Sequence, residues 1–148
     1  MAFDIGIKNV SLEGFQVVQR KYFSRLTEPI MTIWESAVAF NTASHDVLNN
    51  CEAIEIYVNE ETRCFAIMPA PSKDKESVKW IRGSKKYKYN RIECTMFARQ
   101  IFKSWGLDPQ YHYRTTGKLV QCDKKLMILF DFSHYEVWSG SKMVKENG

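Results

Sequence analysis

Three histidines, four cysteines and one dense run of cations are the residues of this 148-residue chain whose types suit chemistry. His134 sits in "DFSHYE", three residues after Asp131 and two before Glu136. An imidazole between two carboxylates has the composition of a general acid–base centre. Residues so close in an extended chain point alternately to opposite faces, so the three are not expected to converge on one reacting atom. His112 lies in "YHYR", and His45 lies in "NTASHDVLNN", where an exposed position is expected. Cys51, Cys64, Cys94 and Cys122 are 13, 30 and 28 residues apart, form no CxxC pair and have no histidine at zinc-ligand spacing. They read as small buried hydrophobes with free thiols, as in a reducing cytoplasm. The chain has no GxSxG, P-loop, GxGxxG or HExxH, and its seven glycines are scattered. A protein without catalytic residues, metal ligands or cofactor is the expectation.

The cation run is the stronger signal. "KWIRGSKKYKYNR", residues 79–91, holds six Lys or Arg, no acid, and the aromatics Trp80, Tyr87 and Tyr89. From Lys73 to Arg91 there are eight bases and two acids, a local charge of +6, while the whole chain carries only +4. Charge placed this way steers partners and says nothing about fold. Cations interleaved with rings suit nucleic acid, since cations hold phosphates and rings stack on bases. A solvated, solubilising loop is the plain alternative. Further along, "YHYR" places Tyr111 and Tyr113 on one face of a strand and His112 and Arg114 on the other. Two tyrosines on a sheet face are compatible with base stacking, and equally with half-buried packing. The candidate contact residues are therefore Lys79, Trp80, Arg82, Lys85, Lys86, Tyr87, Lys88, Tyr89, Arg91, Tyr111, Tyr113 and Arg114.

These residues must be positioned by elements that the pattern makes visible. Residues 1–14 show little periodicity and are expected to be loosely held; 15–26 reads as a strand or a short helix ended by Pro29. "MTIWESAVAF" (31–40) alternates on either side of a turn at Glu35 and Ser36, which predicts a hairpin, and 41–50 suits a brief helix. "AIEIYV" and "RCFAIM", joined by the polar "NEET", predict a second hairpin over 53–68, closed by Pro69 and Pro71. Asn90 and Glu93 have the spacing of a capping box. Cys94, Phe97, Ala98, Ile101, Phe102 and Trp105 then form one apolar stripe of a helix that Gly106 ends. Strands over 110–121 and 125–133 follow, joined at Cys122-Asp123-Lys124, and residues 139–148 read as a frayed tail. The prediction is a single α+β domain over 15–138: an antiparallel sheet built from hairpins, with one short and one longer amphipathic helix packed on it. No signal peptide is visible, and the longest apolar run, "LMILF", is too short to span a bilayer. A cytoplasmic protein with no membrane partner is expected.

Several segments together are similar to a family of small accessory proteins carried by prophages and conjugative elements of Firmicutes. They are "RKYFSRLTEPIMTI", "AFNTA", "IYVNEETRCFAIMP", "SVKW", "IECTMFARQIF", "GLDPQYHYRTTG" and "LFDFS", spanning about residues 15–133. The resemblance implies a bacterial host cell and carries over no catalytic residue. Accessory proteins of this kind bind DNA, or bind and disable a host defence complex as anti-CRISPR proteins do. Mimicry of DNA is disfavoured, because this chain is basic where its charge is concentrated. The leading expectation is a non-enzymatic protein that engages nucleic acid or a nucleic-acid-bound host complex through its basic, aromatic-interleaved surface. The alternative is an anti-defence inhibitor acting mainly by protein–protein contact. The sequence leaves oligomeric state open.

Overall fold

The computed structural model describes residues 14–18, 28–82, 87–88 and 91–147. The elements run in the order β1 (Ile30–Ile33), β2 (Ala37–Phe40), α1 (Thr42–Val47), β3 (Ala53–Asn59), β4 (Cys64–Ala70), β5 (Val78–Lys79) and β6 (Ile81–Arg82). They continue with β7 (Tyr87–Lys88), β8 (Ile92–Glu93), α2 (Thr95–Trp105), β9 (His112–Cys122), β10 (Lys125–Asp131), β11 (Tyr135–Ser139) and β12 (Lys142–Asn147). The expected α+β class holds in its broad form. The sheet, though, curls into a half-barrel, so the architecture is not simply a hairpin sheet with two amphipathic helices packed on it.

Strand order along the sheet is β5-β3-β4-β10-β9-β1-β2-β8, with every described pairing antiparallel. The three expected hairpins are its units: β1–β2, β3–β4 and β9–β10. Asp123 and Lys124 adopt φ of +49° and +67° in the last turn, the positive values that a tight two-residue hairpin requires. β9 is long enough to serve two partners in succession along one side. Residues 117–122 pair with β10, and 112–114 pair with β11. β1 occupies its other side through residues 113–116. Between β10 and β11 the chain turns at Asp131, whose Oδ1 accepts from Ser133 N (2.9 Å) and Ser133 Oγ (2.6 Å). Thr115 Oγ1 fastens that turn to β9 by donating toward the His134 carbonyl at 2.6 Å, with the Asp131 carbonyl 3.2 Å away.

The hollow of the sheet is filled by rings. Phe65, fully buried, meets Phe97, Trp105 and Phe132 edge-on at centroid distances of 5.9, 5.4 and 5.6 Å. Edge-to-face contact at such distances adds about 0.5–1.5 kcal/mol per pair beyond burial. α2 lays Ala98, Ile101, Phe102 and Trp105 into this core, with Phe97 half-buried at its margin, as the stripe predicts. Gly106, at φ +66°, ends the helix in the left-handed region that glycine occupies at least cost. α1 is tied down by Asn41. Its Oδ1 accepts from Ser44 N at 3.1 Å and from Ile30 N at 2.9 Å, while its Nδ2 donates to the Glu28 carbonyl at 2.8 Å. One side chain thus caps a helix and anchors the neighbouring strand, a role worth about 1 kcal/mol for the cap alone.

Three expectations need correction. The helix does not begin with an Asn90–Glu93 capping box: Cys94 is the N-cap without a side-chain bond, and Glu93 belongs to β8. Pairing of Ile92 and Glu93 with Val38 and Ala37 draws this segment into the sheet. Residues 139–147 are not a frayed tail, because β12 pairs with β11 across a turn at Gly140, φ +61°. His45 is not exposed. It is buried and lies against Trp80 with ring centroids 3.8 Å apart. The segment over 1–13 and most of 15–26 lie outside the described residues. Among the described residues, no helix is long and apolar enough to cross a membrane.

Candidate nucleic-acid interface

The alternation of β9 sorts its residues between core and surface. Tyr113 points inward, packs on Phe102 and Tyr135 at 5.7 and 5.3 Å, and accepts a hydrogen bond from Asp108 N through its Oη (2.8 Å). Tyr113 is thus a core residue, and a base cannot stack on it; Tyr111 is half-buried against the same core. The opposite face, which carries His112 and Arg114, is where rings and cations meet. Antiparallel register places Ile33 opposite Tyr113, and hence Trp34 beside His112, while Trp138 of β11 lies directly opposite His112 on the other side. The imidazole is therefore flanked by two indoles, with centroid distances of 5.2 Å to Trp34 and 6.5 Å to Trp138 and interplanar angles of 28° and 25°.

A guanidinium stands at each indole. Arg91 Cζ is 4.1 Å from the centroid of Trp34, and Arg114 Cζ is 4.0 Å from that of Trp138. Both lie well inside the roughly 6 Å range of cation–π attraction. Trp138 is held in place by donating from Nε1 to Glu136 Oε1 at 2.9 Å. The result is a ladder of cation, indole, imidazole, indole and cation, drawn from β9, β11, the residue after β1 and the residue before β8. His112 is 7% exposed, and burial first, then the charges of Arg114 and Arg91, hold its pKa below the ordinary 6.5. A neutral imidazole at the centre lets the two cations share the platform without a third charge between them. Arg114 Nε is buried and has no hydrogen-bond partner among the described residues.

An open groove of about 580 Å³ adjoins the ladder at Arg114. Lys118, Asp131, His134 and Glu136 also line it. The acid–base trio expected to diverge thus faces one space, because the turn after Asp131 breaks the strict alternation of an extended chain. Cys64 lines the groove as well, but burial foremost raises its thiol pKa, which keeps the nucleophilic thiolate scarce. Among the described residues, no group of three His, Cys, Asp or Glu side chains is placed to hold a metal ion.

The remaining candidates divide. Trp80 is a core residue, 1% exposed, with Nε1 donating to the Cys51 carbonyl at 2.6 Å and its ring against Phe40, so it offers no surface. Lys79 is exposed and paired with Glu52 at 3.6 Å. Arg82, Tyr87 and Lys88 belong to the β6–β7 pair, where Arg82 is opposite Tyr87 and Ile81 opposite Lys88. Lys85, Lys86 and Tyr89 lie outside the described residues. Of the twelve, Arg91 and Arg114 join the ladder. Trp34 and Trp138 were missed; the one local signal was a tryptophan among polar neighbours at a strand end, in "IWES" and "VWSG". No protein-family model, curated protein or solved structure matches this chain.

Proposed function

We propose that this chain is a binding protein of a phage or other mobile element, and that its Arg91–Trp34–His112–Trp138–Arg114 face contacts nucleic acid or a nucleic-acid-bound complex. The ladder carries the reading. A guanidinium lying over an indole keeps its N–H edge free to bond a phosphate, and the ring fixes its position without neutralising it. Two such groups, Arg114 on β9 and Arg91 just before β8, bracket the three stacked rings and make a cationic platform. The concentrated charge of residues 73–91 ends at Arg91, so it steers a polyanion toward that end of the ladder. Because the rings stack on one another, the face favours phosphate contact over base intercalation. Recognition is therefore expected to be tolerant of sequence.

Fluorescence anisotropy of a labelled single-stranded oligonucleotide across a salt series tests this. Replacing Arg91 and Arg114 with Ala should flatten the log–log salt slope by about 1.4, at roughly 0.7 per phosphate on single strands. Absence of salt-dependent binding even at low salt would defeat the reading. If the double variant binds like wild type yet loses inhibition of a host defence complex, contact with protein replaces contact with nucleic acid.

A further inference from the structure

The curled sheet stops short of closing. β3 pairs with β4 from Ala53 to Asn59, but on its other side only Ala53 and Ile54 meet β5. Among the described strands, none pairs with residues 55–58 on that side. β8 likewise pairs with β2 on one side and with no described strand on the other. Between these edges lies an open groove of about 750 Å³. Ile56, Ile92 and Phe97 give it apolar wall, and Glu55, Glu76 and Glu93 give it carboxylates. No Lys or Arg is among the described residues that line it, although the chain as a whole carries +4. Glu55 is held at the wall by Tyr57, whose Oη donates to Glu55 Oε1 at 2.7 Å.

An open strand edge offers backbone donors and acceptors to another extended chain. Its flanking side chains then set what that chain must carry. A strand added beside β3 would alternate its side chains in step with Glu55, Ile56 and Tyr57. Residues on the Glu55 side would meet carboxylate, and those on the Ile56 side would meet the apolar wall. Phosphate would be repelled here, so the seam and the ladder suit opposite charges. We propose that this seam takes an extended Lys- or Arg-bearing segment of a partner protein as an added strand on β3, its cations on the three glutamates and its apolar residues toward Ile56 and Phe97. The proposal stands independently of the nucleic-acid reading.

A short labelled peptide alternating lysine with valine is the probe, with a glutamate–valine peptide as its counterpart. In fluorescence anisotropy the lysine peptide should bind and the glutamate peptide should not. Glu76→Lys with Glu93→Lys, both at exposed positions, should weaken binding at least ~10-fold. N-methylation of alternate peptide amides should abolish binding in one of the two methylation phases, and hydrogen exchange should show new protection at the amides of Ile56 and Val58, which face the open side. Equal binding of the two peptides, indifference to the charge reversal, or indifference to both methylation phases would overturn the proposal. So would a concentration-dependent dimer that protects the Ile56 and Val58 amides without peptide, since the occupant would then be a second copy.

Discussion

Gly117 stands opposite Phe130 in the β9–β10 ladder and turns its missing side chain toward the core. A Cβ built there would lie 2.6 Å from both Ile128 Cγ2 and Phe130 Cε1, and 2.8 Å from Phe130 Cδ1. Carbon atoms pack comfortably at about 3.5–4.0 Å, so the neighbours must retreat by about an ångström. They have little room. Ile128 and Phe130 are both 0% exposed, and Phe130 rests on Phe40 at a centroid distance of 5.8 Å. Overpacking of this kind costs about 1–3 kcal/mol. Alanine's gain over glycine in a strand, about 0.5–1 kcal/mol, works against that cost without cancelling it. Gly117→Ala should therefore lower stability by about 0.5–2 kcal/mol in urea unfolding, and Tm by about 2–4 °C for each kcal/mol lost in a chain of this size. Phe130→Leu removes the ring that supplies two of the three clashing atoms. In the double-mutant cycle, Gly117→Ala should cost less in the Phe130→Leu background, with a coupling of about 1 kcal/mol. Wild-type stability for Gly117→Ala, or strict additivity in the cycle, would refute the reasoning.

His112 should titrate below the ordinary 6.5 in an NMR pH series, and Arg91→Ala or Arg114→Ala should move it upward, since both guanidiniums disfavour its charged form. Its folded pKa is depressed, so as pH falls through 6.5 the unfolded chain takes a proton that the folded ring refuses. Its share of stability is thus full above 6.5 and declines on acidification, a decline that His112→Gln should remove from urea midpoints measured at about pH 7.5 and about pH 5.5. Cys51, Cys64 and Cys94 are free thiols, so dithiothreitol should leave Tm unchanged. Cys94 should resist alkylation at neutral pH, its pKa pushed up to about 11 by burial and then by the charge of Glu93.

Local pattern accounts for much of the architecture. Alternation in 31–40 and 53–68 predicts hairpins because a strand's side chains repeat every two residues, and the polar turns between them fix the pairing. The stripe from Ala98 to Trp105 is legible because it repeats at the helical period. Where non-local pairing overrides a local signal, the reading fails. Asn90 and Glu93 have capping spacing, yet β2 claims Ile92 and Glu93 as a strand. "KMVKEN" has no apolar periodicity of its own and becomes a strand only because β11 lies beside it.

The site divides along the same line. Composition alone gives a cation-rich run, a pair of arginines at 91 and 114, and the two-face alternation of "YHYR". Which face meets solvent is set by where α2 lies: Phe102 covers Tyr113 and leaves His112 and Arg114 on the far side. Trp80, at the start of the basic run, is drawn into the core by Phe40, His45 and the Cys51 carbonyl, and no residue adjacent to it in the chain announces that. Trp34, His112 and Trp138 are far apart in sequence and become neighbours only through the register of β1 and β11 on β9. Side-chain alternation is a property of one strand and can be read from one segment. Cross-strand contact depends on register between segments, and a one-residue slip would turn both tryptophans away from the ladder.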